Sequence, residues 1–258
     1  MLHKFSRTEL LIGPQGVARL TGAHVAVFGV GGVGSYAVEA LVRAGVGRLT
    51  IVDYDDICLT NINRQLHALY STVGRAKVEV MAERIKDINP DAQVNALCKW
   101  YLPDQADEVL DESLDYIIDA IDTVTAKLDL IEQAFKRGIP IVSAMGAGNK
   151  LNAAELTVAD ISETRVCPLA KVMRKELRKR GISTGLKVVY SPETPMRPDK
   201  GAADCKDFCI CPGGDAACAK KRQIPGSISF VPPVSGMLLA GEVVNQLLKE
   251  DVQKVHRR

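Results

Sequence analysis

The chain has 258 residues, a formal net charge of +2 and an apolar fraction of 47%. That is enough to bury a sizeable α/β core, and it excludes a disordered or strongly polyionic protein. No apolar run is long enough to cross a bilayer, and the opening Met1-Leu-His-Lys-Phe-Ser-Arg7 has no signal-type segment, so a cytoplasmic protein without membrane insertion is expected.

Residues 1–23, with Phe5, Arg7 and Leu10-Leu-Ile, read as a short helical lead-in, and a lone arginine such as Arg7 is by default a solvated charge. The run His24 to Gly34 is an apolar strand that ends in Gly29, Gly31, Gly32 and Gly34 and passes directly into an alanine-rich helix from Ser35. Strand, glycine turn and helix together bring an anion onto bare backbone amides at a helix N-terminus. A second apolar run, Leu49 to Val52, delivers Asp53 at the spacing where such folds place a carboxylate on a ribose, with Asp55 and Asp56 just beyond. Nucleotide binding is the predicted use.

Leu59 to His67 is polar and non-periodic, as a loop at the C-terminal edge of a parallel sheet should be. Asn61, Asn63 and Gln65 suit plain turn chemistry, whereas Arg64 there suits nucleotide phosphates. Gly74-Arg-Ala-Lys77 opens a helix that stops at Asn89-Pro90. Lys77 in its first turn opposes the helix dipole unless an anion sits beside it. Strands follow over Gln93–Lys99, Leu114–Ala120 and Ile139–Met145, with a helix over Thr125–Arg137. The fourth strand ends Asp119-Ala-Ile-Asp122, and a carboxylate buried there needs a cation or donors. The alternation predicts a Rossmann-like, doubly wound and mainly parallel sheet over 24–149.

The pattern changes over 150–258. Glu155–Ile161 reads as an antiparallel strand, and Cys167-Pro168 opens a helix with Lys171, Arg174, Lys175, Arg178, Lys179 and Arg180. That basic run is either a solvated face or a surface for nucleic acid. After a strand at Val188–Ser191, the loop 192–226 holds Cys205, Cys209, Cys211 and Cys218. Its spacing is not the paired C-x2-C of common zinc knuckles, and free thiols, Zn²⁺ and an iron–sulfur cluster all stay open. A strand over Ser227–Val231 and an apolar helix over Gly236–Leu248 close the chain. The expected C-terminal part is thus an extension of antiparallel strands and helices.

Gly29 to Gly34, Asp53, Asn61-Ile-Asn-Arg64-Gln65, Lys77 and Asp119-Ala-Ile-Asp122 together resemble the ubiquitin-activating-enzyme superfamily of ThiF type. The resemblance implies one adenylation domain over 1–258 that binds ATP and Mg²⁺. It places Gly32 at the phosphates, Asp53 on the ribose, Arg64 and Lys77 as phosphate counter-charges and Asp122 on Mg²⁺, and it counts Gly29, Gly31, Gly34, Asp55, Asn61 and Gln65 with the nucleotide-binding residues. It further implies a homodimer in which Arg7 reaches the partner's site. Thr60 to Leu69, Ala76 to Ile85 and Pro168-Leu-Ala-Lys are most similar to the subfamily that dehydrates threonylcarbamoyladenosine in tRNA. This resemblance implies activation of a threonyl carboxylate on tRNA, followed by ring closure. The basic helix and Lys220-Lys-Arg222 fit such a substrate.

One competing reading is an adenylyltransferase that activates the Gly-Gly tail of a ubiquitin-like sulfur carrier. Cys167 at a helix start is its candidate nucleophile, and the cysteine-rich loop leaves a sulfur-relay role open. The other is a nucleotide-regulated binding protein without turnover, which the set Arg64, Lys77 and Asp122 argues against. A dehydrogenase would not need that set at all.

Overall fold

The computed structural model describes residues 2–198 and 225–249. In chain order the elements are α1 (Ser6–Gly22), β1 (His24–Phe28), α2 (Gly34–Ala44), β2 (Arg48–Val52), α3 (Lys77–Ile88) and β3 (Gln93–Leu97). They continue with α4 (Ala106–Val109), β4 (Tyr116–Asp119), α5 (Val124–Arg137), β5 (Ile141–Ala144), β6 (Thr157–Asp160), α6 (Pro168–Lys179), β7 (Lys187–Tyr190) and α7 (Val231–Leu247). One seven-stranded sheet runs in the order β3-β2-β1-β4-β5-β7-β6.

Every neighbouring pair is parallel except β6 with β7. The doubly wound prediction therefore holds. The C-terminal extension is corrected in detail, because β7 joins β5 in parallel and only β6 is reversed.

Successive strand residues point to opposite faces, and each face has its own core. Val25, Val27, Leu49, Ile51 and Ile118 pack with Leu41 of α2, Met81 and Ile85 of α3 and Leu239 and Val243 of α7. Ala26, Phe28 and Ile117 pack with Leu130 and Ile131 of α5 and Met173 and Leu177 of α6. The β-branched strands are buried on both faces, which is why they read as continuous apolar runs.

Chain punctuation fixes the helix ends. Gly45 (φ 108°) and Gly138 (φ 67°) close α2 and α5 in the left-handed conformation, and their amides donate to the last-turn carbonyls. The lead-in helix α1 is longer than expected but is broken at Gly13 (φ 72°, ψ 172°).

One predicted element is wrong. Residues 227–230 form no strand, and the last helix begins at Val231 rather than Gly236. Pro232 and Pro233 fall in its first turn, where a missing N–H costs nothing. Gly236 then lets α7 lie against α2, since a Cβ there would sit 2.2 Å from the Val33 carbonyl oxygen. Among the described residues no helix is long and apolar enough to cross a membrane.

Candidate active site

The strand order reverses between β1 and β4, and open α/β sheets bind ligands at the C-terminal ends of the strands flanking that point. The glycine loop and the Asp119–Asp122 segment meet there. Gly29 adopts φ 86°, and a Cβ on it would lie 2.6 Å from the Ala120 carbonyl oxygen. A Cβ on Gly34 would lie 1.8 Å from the Gly29 carbonyl oxygen. These two glycines are demanded by the turn itself. Gly31 is different, because a Cβ there meets nothing closer than the Gln65 side-chain nitrogen at 3.8 Å. Its missing side chain leaves room over the loop, as a ligand lying on backbone requires.

Asp53 is positioned by the protein's own backbone. Val30 N donates to its Oδ2 at 2.7 Å and Asp55 N to its Oδ1 at 2.9 Å. Burial pushes its pKa up, and the nearby Lys77 ammonium pulls the other way. Lys77 begins α3 with a buried side chain. Its Nζ donates to Asp55 Oδ2 at 2.6 Å and lies 3.9 Å from Asp53 Oδ1. The anion that excuses its place at a helix N-terminus is, in this structure, the Asp53–Asp55 pair.

The Asn-Arg-Gln loop divides its labour. Asn61 Oδ1 accepts from Cys58 N at 3.0 Å, which is local turn chemistry. Asn63 Nδ2 donates to the Ser227 carbonyl at 3.0 Å and ties the loop to the segment leading into α7. Arg64 packs beside Gly32, whose Cβ position is 3.2 Å from Arg64 Cγ and 3.3 Å from Pro232 Cβ. Its Nη1 donates to the Thr60 carbonyl and to Asn63 Oδ1, both neutral oxygens. Burial accordingly lowers its pKa, a cost that an anion beside it would relieve. Gln65 is buried next to Gly31, and its Oε1 has no hydrogen-bond partner. A buried acceptor without a partner is what a ligand hydroxyl or amine would satisfy.

The carboxylates after β4 play two parts. Asp119 is fully buried and meets Lys127 Nζ at 2.8 Å and Ser143 Oγ at 2.6 Å, and it accepts from Ile121 N. Lys127 also donates to the Ile121 carbonyl at 3.1 Å, so this pair braces the turn carrying Asp122. Asp122 itself is exposed, accepts from Thr123 Oγ1 at 3.4 Å and acts electrostatically on Tyr54. Tyr54 stacks on Trp100 at an interplanar angle of 16°.

Among the described residues no three His, Cys, Asp or Glu side chains converge on a metal position. A Mg²⁺ held chiefly by nucleotide phosphates needs only one or two protein carboxylates, and Asp122 at the switch point fits that need. Cys205, Cys209, Cys211 and Cys218 lie outside the described residues, as do Lys220, Lys221 and Arg222.

Arg7 is not brought to this site within its own chain. It is exposed, and Phe5 two residues earlier packs on Gly45, at the end of α2 remote from the glycine loop. Cys167 is buried, which withholds its thiol from a carrier protein. A cavity of about 620 Å³ lined by Phe5, Arg48, Asn89 and Gln93 lies at the opposite edge of the sheet, where the strands begin.

Two residues escaped the sequence reading. Lys127 is a helical lysine with no local signal that it turns inward. His67 is buried with neither ring nitrogen hydrogen-bonded, and burial, aided by Lys77, pushes its pKa down to about 4.

Comparison with known proteins gives full-length similarity. A family model described as the ThiF family matches residues 5–258. The tRNA threonylcarbamoyladenosine dehydratase of Bacillus subtilis is 48% identical over 251 residues, which is 97% of this chain and 96% of that protein. A crystal structure of the Escherichia coli tRNA N6-threonylcarbamoyladenosine dehydratase in complex with ATP superposes with a TM-score of 0.81. It is 34% identical and covers 99% of this chain and 96% of its own. An adenylyltransferase and sulfurtransferase, MOCS3, of Culex quinquefasciatus is 36% identical over 144 residues, only 55% of this chain and 33% of that protein.

Proposed function

The chain belongs to the ThiF family, and we propose that it is an ATP-dependent enzyme that adenylates the threonyl carboxylate of threonylcarbamoyladenosine in tRNA and then dehydrates it by ring closure. One observation carries the nucleotide half of this reading. The glycine loop, the amide-held Asp53 and the buried Lys77 converge at the switch point of the sheet. Full-length similarity to dehydratases of that name supports the tRNA half.

ATP lies with its phosphates on the amides after Gly29 and over Gly31 and Gly32, and its ribose hydroxyls lie on Asp53. Gln65 Oε1 gains the partner it lacks. Arg64 and Lys77 offset the phosphate charge, and Asp122 would hold Mg²⁺, which would supply further charge neutralisation. A carboxylate oxygen of the substrate attacks the α-phosphorus, forming a P–O bond while pyrophosphate departs. A nitrogen of the same substrate then attacks the activated acyl carbon, AMP leaves with that oxygen, and the nucleoside has lost the atoms of one water. The substrate brings both nucleophiles, so the protein's work is alignment and charge stabilisation.

No protein cysteine is needed, in keeping with the buried Cys167. The enzyme acts in the cytoplasm as a homodimer, with Arg7 completing the partner's site. The test is AMP formation with tRNA bearing threonylcarbamoyladenosine, with unmodified tRNA and with a Gly-Gly-tailed carrier protein. Turnover with the first alone is expected. Turnover with the carrier would transfer the site to the sulfur-carrier reading.

A further inference from the structure

We infer that Asp55 is not a nucleotide ligand but the resident counter-ion of Lys77, which the incoming phosphates displace, so that Asp55 sets ATP affinity by competing for the lysine. This rests on the nucleotide-binding reading above and goes beyond it by giving one acidic residue a role opposed to binding.

The geometry assigns the two neighbouring carboxylates different tasks. Asp53 has both oxygens held by backbone amides, from Val30 and Asp55, and faces Lys77 only at 3.9 Å. Asp55 makes the short contact, 2.6 Å from its Oδ2 to Lys77 Nζ, and is the more exposed of the two at 38% against 8%. The Lys77 side chain is 5% exposed. An ammonium so buried needs an anion at all times.

The backbones around the pair are locked together. Lys77 N donates to the Asp55 carbonyl at 3.1 Å, Ile57 N to the Arg75 carbonyl at 2.9 Å, and Gly74 N to the Ile57 carbonyl at 2.8 Å. Neither main chain therefore needs to move when the contact is exchanged. Only the half-open Asp55 carboxylate and the tip of the lysine must turn. A polyphosphate entering this space meets a negative charge already seated on the cation it requires. Asp53, 3.9 Å from Nζ, still gives Lys77 a counter-charge if Asp55 is neutralised, so the fold survives the test.

The experiment is equilibrium binding of ATP to the full-length protein and its variants, followed by the KM for ATP. Asp55→Asn is expected to tighten ATP binding about fivefold, the effect of removing one partly exposed ionic competitor, and to lower KM with kcat kept within about threefold. Asp55→Glu should return affinity to that of the parent. In a double-mutant cycle the gain should vanish in the Lys77→Met background, because no lysine remains to compete for. Asp55→Ser gives the same reading should Asp55→Asn fail to fold.

Weaker binding in Asp55→Asn would make Asp55 a ligand and overturn the inference, as would unchanged binding. A gain that persists in Lys77→Met would reduce it to general repulsion and also overturn it. A parent protein that binds no ATP would instead overturn the functional reading itself.

Discussion

His67 shows how a single buried side chain links the site to the stability of the fold. Its ring sits beside the loop that carries Arg64 and Gln65, with neither nitrogen partnered and a pKa pushed down to about 4 from 6.5. The folded state therefore keeps it neutral where the unfolded state takes up a proton. Stability from this residue is complete above about pH 6.5 and falls as the pH drops towards 4, where the loss levels off. At pH 5 the penalty is about 2 kcal/mol. Urea denaturation at pH 7.5 and pH 5 should show that difference in the parent and lose most of it in His67→Leu. An equal acid loss in both proteins would assign it to other groups.

Among the residues proposed for the nucleotide site, the sequence supplies a physical reason for those whose position in a turn or helix is unusual. Gly29, Gly34, Asp53 and Lys77 follow from turn sterics, ribose spacing and a misplaced helix charge. Lys127 and His67 were not legible, because the direction in which a helical lysine or a loop histidine points is decided by packing that no local pattern encodes. The Lys77–Asp55 contact was hidden for the same reason, since nothing local pairs two residues 22 apart in the chain.

At the level of elements, the basic helix α6 is only partly a free surface. Arg174 donates to the Thr164 carbonyl at 2.6 Å, Lys179 pairs with Glu176 at 2.8 Å, and Arg180 pairs with Glu132 at 3.0 Å. Lys171, Lys175 and Arg178 are exposed and spaced along one helical stripe. That stripe is the surface proposed to meet tRNA phosphates. Lys175→Glu with Arg178→Glu should weaken tRNA binding and reduce the slope of log K against log salt by about two, leaving ATP binding as it was. An unchanged slope would return α6 to an ordinary solvated face.

The strands β1, β2, β4 and β5 were readable because burial on both faces writes them as apolar runs, whereas β3, at the sheet edge, is largely exposed and carries no such run. The segment before α7 was not. Ser227 to Val231 has strand-like composition, yet residues 227–230 stay irregular and Val231 is already helical, because Pro232-Pro233 suits a helix start and Gly236 allows close packing on α2. That same start brings Pro232 against the glycine loop, a contact between residues some 200 apart that sequence order conceals.

For the molecule as a whole, the order β3-β2-β1-β4-β5 puts every proposed site residue except Arg7 at one edge of the sheet. Arg7, near the other end of α2, can serve the site only from a second copy of the chain. Mixing Arg7→Ala with Asp122→Ala protein, each expected to be impaired at least about tenfold alone, should restore activity through heterodimers that hold one intact site. No recovery on mixing, after exchange of subunits is verified, would remove Arg7 from the mechanism.

On the proposed function, one site couples ATP cleavage to dehydration of a tRNA nucleoside. The most direct test of that coupling is a reaction of the purified protein with ATP, Mg²⁺ and tRNA carrying threonylcarbamoyladenosine, with AMP and the released nucleosides quantified together by mass spectrometry. One AMP is expected for each modified nucleoside that has lost the mass of one water, and none with unmodified tRNA. AMP formed without that mass loss, or mass loss without ATP, would contradict the coupling.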